Sequence, residues 1–149
     1  MRKVFDEQMK LGEVDISKLV FDPKSRDEIP QLLCGLQYIY CNSEVKSKIF
    51  ELLEKHIKRS KTGRTGMDLW KILVMGTLRL NCNWNYDRLK EIVDQHASVR
   101  EMLGHVKWLD FTKYPLQTLK DNVSLLTPEL LMQINDIVVV VGQNIIKKN

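Results

Sequence analysis

Five apolar residues, Ile29, Leu32, Leu33, Leu36 and Ile39, constrain this chain more than any other feature. Their intervals of three and four place them on one stripe of an α-helix, whereas a strand would scatter them over both faces. The rhythm recurs along the chain. Val45, Ile49, Leu52, Leu53, His56 and Ile57 share a second helical face, and Leu69, Ile72, Leu73, Gly76 and Leu80 a third. Leu89, Ile92 and Val93 follow, then Leu116, Leu119 and Val123, then Leu130, Leu131, Ile134, Ile137, Val138 and Val141. A helix with one apolar stripe must bury it against another element. The spacing therefore predicts an all-α bundle of six to seven helices over residues 25–149. Residues 1–24 read as a partly extended N-terminal arm, with Val14, Ile16 and Leu19 apolar in a polar setting and a turn at Asp22-Pro23.

Helix starts are marked by short polar side chains that accept the orphan N–H groups of a first turn. Asp27 suits the first helix and leaves Pro30 in its first turn, and Ser25 with Glu28 has capping-box spacing. Ser43 is the expected cap of the second helix, and the short link through Asn42-Ser43 predicts an antiparallel hairpin. Asp68 and Asn85 suit the next two helices, and Ser98 with Glu101 suggests a box for a short one ending at Gly104. Thr127-Pro128 combines a cap with Pro at the first helical position. Gly76, in mid-helix, costs about 1 kcal/mol against Ala, so a neighbouring helix is expected to approach it closely. The run Ile137-Val138-Val139-Val140-Val141 suits a buried strand as well as a helix.

Composition excludes several classes. A hydrophobic share of 44% in 149 residues argues against wholesale disorder. No apolar run approaches the roughly 20 residues of a membrane span, and Met1–Glu7 lacks an apolar signal core. A cytoplasmic protein without a membrane partner is expected. Three cysteines at irregular spacing, Cys34, Cys41 and Cys82, do not read as a disulfide framework. His56, His96 and His105 show no paired ligand spacing with each other or with Cys, so no metal site is expected. Neither a nucleophile elbow nor a phosphate-cradling P-loop occurs, and no catalytic residue, cofactor or small-molecule substrate is expected.

Charge is informative by position. The formal balance is +4, and residues 58–64 alone supply Lys58, Arg59, Lys61 and Arg64 with no acid among them. A compact cationic segment of this kind attracts phosphate whatever the base sequence. A solvated interhelix loop has the same composition. Two helices, near 68–80 and 85–96, follow across a polar turn. That spacing fits a helix-turn-helix, whose second helix offers its N-terminal residues to base edges. Asn83, Asn85, Arg88 and Lys90 lie at that end, and Asn suits adenine as Arg suits guanine. An ordinary helical hairpin with Asn as turn and cap residues fits the same spacing, and spacing alone favours it. Trp84, in the polar turn, either stacks on a base or anchors the turn to the core; Trp70 and Trp108 read as core or satellite-core residues.

The run Gly-Arg-Thr-Gly-Met-Asp-Leu-Trp-Lys-Ile-Leu-Val-Met-Gly-Thr-Leu-Arg-Leu-Asn, residues 63–81, resembles the helical N-terminal domain of bacterial insertion-sequence transposases of the DDE type. Tyr86-Asp87-Arg88-Leu89-Lys90-Glu91 and Val99-Arg100-Glu101-Met102-Leu103-Gly104 continue that pattern. Ser25–Leu33, Gly35–Tyr40 and Leu116–Val123 extend the likeness over most of residues 1–135. The resemblance implies recognition of double-stranded transposon-end DNA, a possible homo-oligomer, and a place near the bacterial nucleoid. It also implies a following RNase H-like domain whose two Asp and one Glu hold two Mg²⁺ ions. Asp136 falls in the last predicted helix and is not read as one of those ligands. This stretch is accordingly expected to bind DNA without cutting it, as an excised domain or a truncated gene product. A helical protein–protein interaction module, docking the catalytic domain or another subunit, is the competing expectation.

Overall fold

A computed structural model describes residues 14–21, 27–57, 66–106 and 110–148. Among the described residues the chain is all-helical. A short 3₁₀ turn at Ile16–Lys18 precedes α1 (Glu28–Cys41), α2 (Ser43–Ile57), α3 (Leu69–Cys82), α4 (Tyr86–Gln95), α5 (Ala97–Met102), α6 (Leu116–Val123) and α7 (Pro128–Lys148). The Val run is helix, not strand: it lies inside α7, with Val139 and Val140 exposed.

Four helix starts follow the local reading. Asp27, Asp68, Asn85 and Thr127 each accept a backbone N–H from the first turn of α1, α3, α4 and α7. Two differ. The cap of α2 is Asn42, whose Oδ1 accepts the Val45 N–H at 3.1 Å, rather than Ser43. Asn42 also closes α1, donating its own N–H to Tyr38 O, so one residue serves both helices. The cap of α5 is His96, whose Nδ1 accepts the Val99 N–H, rather than the Ser98–Glu101 box.

The core is built around α3, which packs on α1, α2, α4 and α6. Trp70, Val74, Met75 and Leu78 are buried as well as Leu69, Ile72 and Leu73, so α3 is apolar nearly all round, as a central helix must be. Trp70 stacks edge-on against Tyr40 and donates its Nε1–H to Met102 O at 2.8 Å, joining α1, α3 and α5. The stripe of α1 is buried at Ile29, Leu33, Leu36 and Ile39, while His56, expected on the inner face of α2, is exposed. Gly76 does sit at a close approach, but its neighbour is Leu126, in the turn between α6 and α7, rather than a helix. That turn bends the chain by 62° between the two helices.

Residues 14–21 pack against α1. Ile16 is buried, and the Gln37 amide donates to Ile16 O and Leu19 O at 3.0 and 2.7 Å, which moors this segment to α1. No single helix among the described residues is long and apolar enough to cross a membrane.

Candidate nucleic-acid interface

The corner between α3 and α4 is a turn of Asn83, Trp84 and Asn85, shorter than the sequence suggested because α3 runs on through Cys82. Asn83 adopts the left-handed conformation, φ 54° and ψ 44°, which Asn tolerates better than most residues. Its N–H and that of Trp84 both donate to Arg79 O, closing the end of α3. Trp84 is half-buried against the core, so its ring anchors the corner.

Asn83, Asn85 and Arg88 are all exposed at this corner. Asn85 Oδ1 is used as the α4 cap, accepting the Arg88 N–H at 2.8 Å. Arg88 pairs with Glu91 at 3.2 Å, both half-exposed, a pair of little energetic weight. Lys90 has a different role. Its Nζ lies 2.6 Å from both Asp94 Oδ2 and Tyr114 O, so it ties α4 to the segment entering α6. The corner also holds a cation that spacing did not single out: Arg79, 4.6 Å over the Tyr86 ring. Asp87 and Glu91 are exposed on α4 as well, so α4 itself is not a cationic helix. Lys58, Arg59, Lys61 and Arg64 lie outside the described residues, as does Trp108.

A second polar cluster lies beyond the C-terminal end of α4, and only the fold assembles it. His105 is buried, with Nδ1 2.6 Å from Asp110 Oδ2 and Nε2 hydrogen-bonded to the Tyr114 hydroxyl. Asp110 Oδ1 accepts from the Thr112 hydroxyl and N–H. Burial raises the carboxyl pKa, but the Thr112 and His105 hydrogen bonds outweigh it and hold Asp110 well below the usual carboxylate range. Burial pushes His105 down against the upward pull of Asp110, with Lys71 and Arg100 adding to the depression. A neutral imidazole beside an ionised carboxylate has one consistent tautomer: Nδ1–H donates to Asp110, and Nε2 accepts from Tyr114. Tyr114 is a poor nucleophile here, because burial above all keeps its hydroxyl protonated.

The cysteines are free, and no group of three or more His, Cys, Asp or Glu among the described residues is arranged to hold a metal ion. His56 is exposed, His96 caps a helix and His105 is spent on two hydrogen bonds. Comparison with protein-family models, curated proteins and solved structures finds no match to this chain.

Proposed function

We propose that this chain is a DNA-binding module of the transposase N-terminal kind, contacting duplex DNA through residues 58–64 and the α3–α4 corner. The observation that carries the reading is the placement of charge. The whole formal surplus of +4 is matched by a segment directly before α3, and α3 leads to a corner where Asn83, Asn85 and Arg88 are exposed. Division of labour follows from the charges. With Asp87 and Glu91 beside Arg88, α4 gains little from phosphate, so affinity falls to Lys58, Arg59, Lys61 and Arg64. Direct base readout then falls to Asn83, Asn85 and Arg88. Lys90, engaged by Asp94 and Tyr114, is the weakest of the base-reading candidates. The setting in transposon-end recognition rests on the resemblance over residues 63–104.

Replacing the four segment cations by Ala is expected to lower the slope of log affinity against log salt by up to about 3–4 units, at about 0.9 per phosphate lost. Arg88→Ala is expected to weaken the preferred site while leaving that slope nearly unchanged. An unchanged slope in the fourfold variant removes the segment from the interface.

One observation favours a second reading, a protein-docking module. Met132 and Val139 are 66% and 54% exposed and lie seven residues apart on α7, with Val140 beside them at 52%. Residues seven apart share a helical face, so Met132 and Val139 are exposed apolar groups on one side of α7, with the exposed Asn135 and Asp136 between them. Light scattering beside a duplex gel shift separates the readings: self-association with no shift favours docking.

A further inference from the structure

Between the α4–α5 corner and residues 110–113 lies a surface cavity of about 220 Å³. Asp94, Arg100, His105, Asp110, Phe111 and Lys113 line it. Its chemistry is uneven. Arg100 donates to Val93 O at 2.8 Å and to Asp110 O at 3.1 Å, and Lys113 to Asp94 O at 3.2 Å. These are carbonyl bonds that aim the side chains without neutralising them, and among the described residues neither cation has a carboxylate within salt-bridge distance. The two carboxylates nearby are already engaged. Asp94 is held by Lys90 and the Tyr114 N–H, and Asp110 by His105 and Thr112. Two cations, Arg100 and Lys113, and two carboxylates, Asp94 and Asp110, line the cavity, and Lys90 outside it offsets Asp94, so Arg100 and Lys113 face a single unpaired carboxylate.

Phe111 adds the second requirement. It is 78% exposed at the edge of this cavity, although its neighbours Asp110 and Thr112 are fixed by hydrogen bonds. A phenyl ring left in water forgoes the stabilisation of burial and offers an open face to a flat partner. Cations that accept an anion beside an open aromatic face suit a flat aromatic group joined to an anion, as in a base joined to a phosphate. An aliphatic carboxylate would use Arg100 and Lys113 but gain nothing from Phe111.

We propose that this cavity binds a phosphorylated nucleoside, the phosphate meeting Arg100 and Lys113 and the base stacking on Phe111. The unit recognised is a single nucleotide, free or at the 5′ end of a strand. The inference therefore stands apart from duplex binding by residues 58–64 and α4.

The test is an amide chemical-shift and calorimetric titration of the full chain with adenosine 5′-monophosphate. Adenosine, inorganic phosphate and a 5′-phosphorylated oligonucleotide are run beside it. The monophosphate or the oligonucleotide is expected to shift the amides of residues 94–100 and 110–113, and whichever binds more tightly identifies the source. Adenosine alone should bind more weakly than its monophosphate by about tenfold or more, the contribution of charge-assisted hydrogen bonds. Phe111→Ala should weaken binding about five- to 150-fold, the range of one base–aromatic stack. Lys113→Gln should shrink the preference for monophosphate over adenosine. Both side chains are on the surface, so the variants keep the fold. No shift with either nucleotide ligand overturns the proposal. So does inorganic phosphate binding as tightly as the monophosphate with no effect of Phe111→Ala, which would mark a bare anion site. Nucleotide binding that persists when the fourfold segment variant loses duplex DNA leaves the proposal intact.

Discussion

Gly76→Ala and Gly35→Ala are the same substitution in two helices, and the structure assigns them opposite signs. Both remove the backbone freedom of a helical glycine, a gain of about 0.5–1 kcal/mol. At Gly35, exposed on α1, an added Cβ meets nothing within 4 Å, so the gain stands alone. At Gly76 the Cβ would lie 2.3 Å from Leu126 Cδ2, 2.8 Å from its Cβ and 3.1 Å from its Cγ. Carbon atoms in contact sit about 3.5–4.0 Å apart. Leu126 is 1% exposed, and its Cβ is fixed to the backbone of the α6–α7 turn. The overlap is relieved only by moving that turn off α3, at the upper end of the usual overpacking cost, about 3 kcal/mol. The net expectation is a loss of about 2 kcal/mol for Gly76→Ala, against a gain of about 0.5–1 kcal/mol for Gly35→Ala. Urea unfolding followed by tryptophan fluorescence reads both. With a slope of about 2 kcal/mol per molar, the midpoint falls by about 1 M in one variant and rises in the other. A third variant checks the cause. Leu126→Ala on its own leaves a cavity costing about 2–5 kcal/mol. In the Gly76→Ala background it also removes Cδ2 and Cγ, two of the three crowding atoms, and leaves only Cβ, so the double variant should lose less than the sum of the singles. If Gly76→Ala matches the parent or exceeds it, the packing argument at this position is wrong.

Asp68→Ala removes the acceptor of the Lys71 N–H at the start of α3, and is expected to cost about 1 kcal/mol in the same assay; a change below a few tenths would mean the cap is idle. The His105 imidazole should titrate below its ordinary 6.5 by NMR, because burial disfavours its charged form. The unfolded chain then binds the extra proton first, so stability is complete above about pH 6.5 and declines as pH falls toward the lower folded value. A midpoint at or above 6.5 contradicts this. Cys82 is pushed up to about 11 by burial and by Glu28, while Cys41 is exposed. At pH 8, iodoacetamide followed by mass spectrometry should find Cys41 modified well before Cys82, and equal rates would refute the assignment.

The α1 stripe and the caps at Asp27, Asp68, Asn85 and Thr127 were legible because each depends on residues within one helical turn. The misread caps show where that reach ends. Ser43 and Asn42 are both good acceptors, and which one caps α2 depends on how the chain leaves α1. His96 caps α5 for the same reason, at the end of α4. Asn85 was visible as a cap, whereas Lys90 pairs with Asp94 at helical spacing but reaches Tyr114 O only through tertiary packing.

An all-helical bundle, its helix order and the concentration of positive charge before α3 were determined by the sequence alone, through periods of three and four and simple counting. Tertiary structure decided which helix is central, because α3 packs on α1, α2, α4 and α6 and is buried on faces its own stripe does not mark. It also decided what fills the space over Gly76, and it brought Arg100, Phe111 and Lys113 to one cavity beside His105. Hydrogen bonding and backbone torsion act over a few residues, so a local pattern records them. Packing and shared electrostatic environments join residues far apart in the chain, and they exist only once the helices have docked.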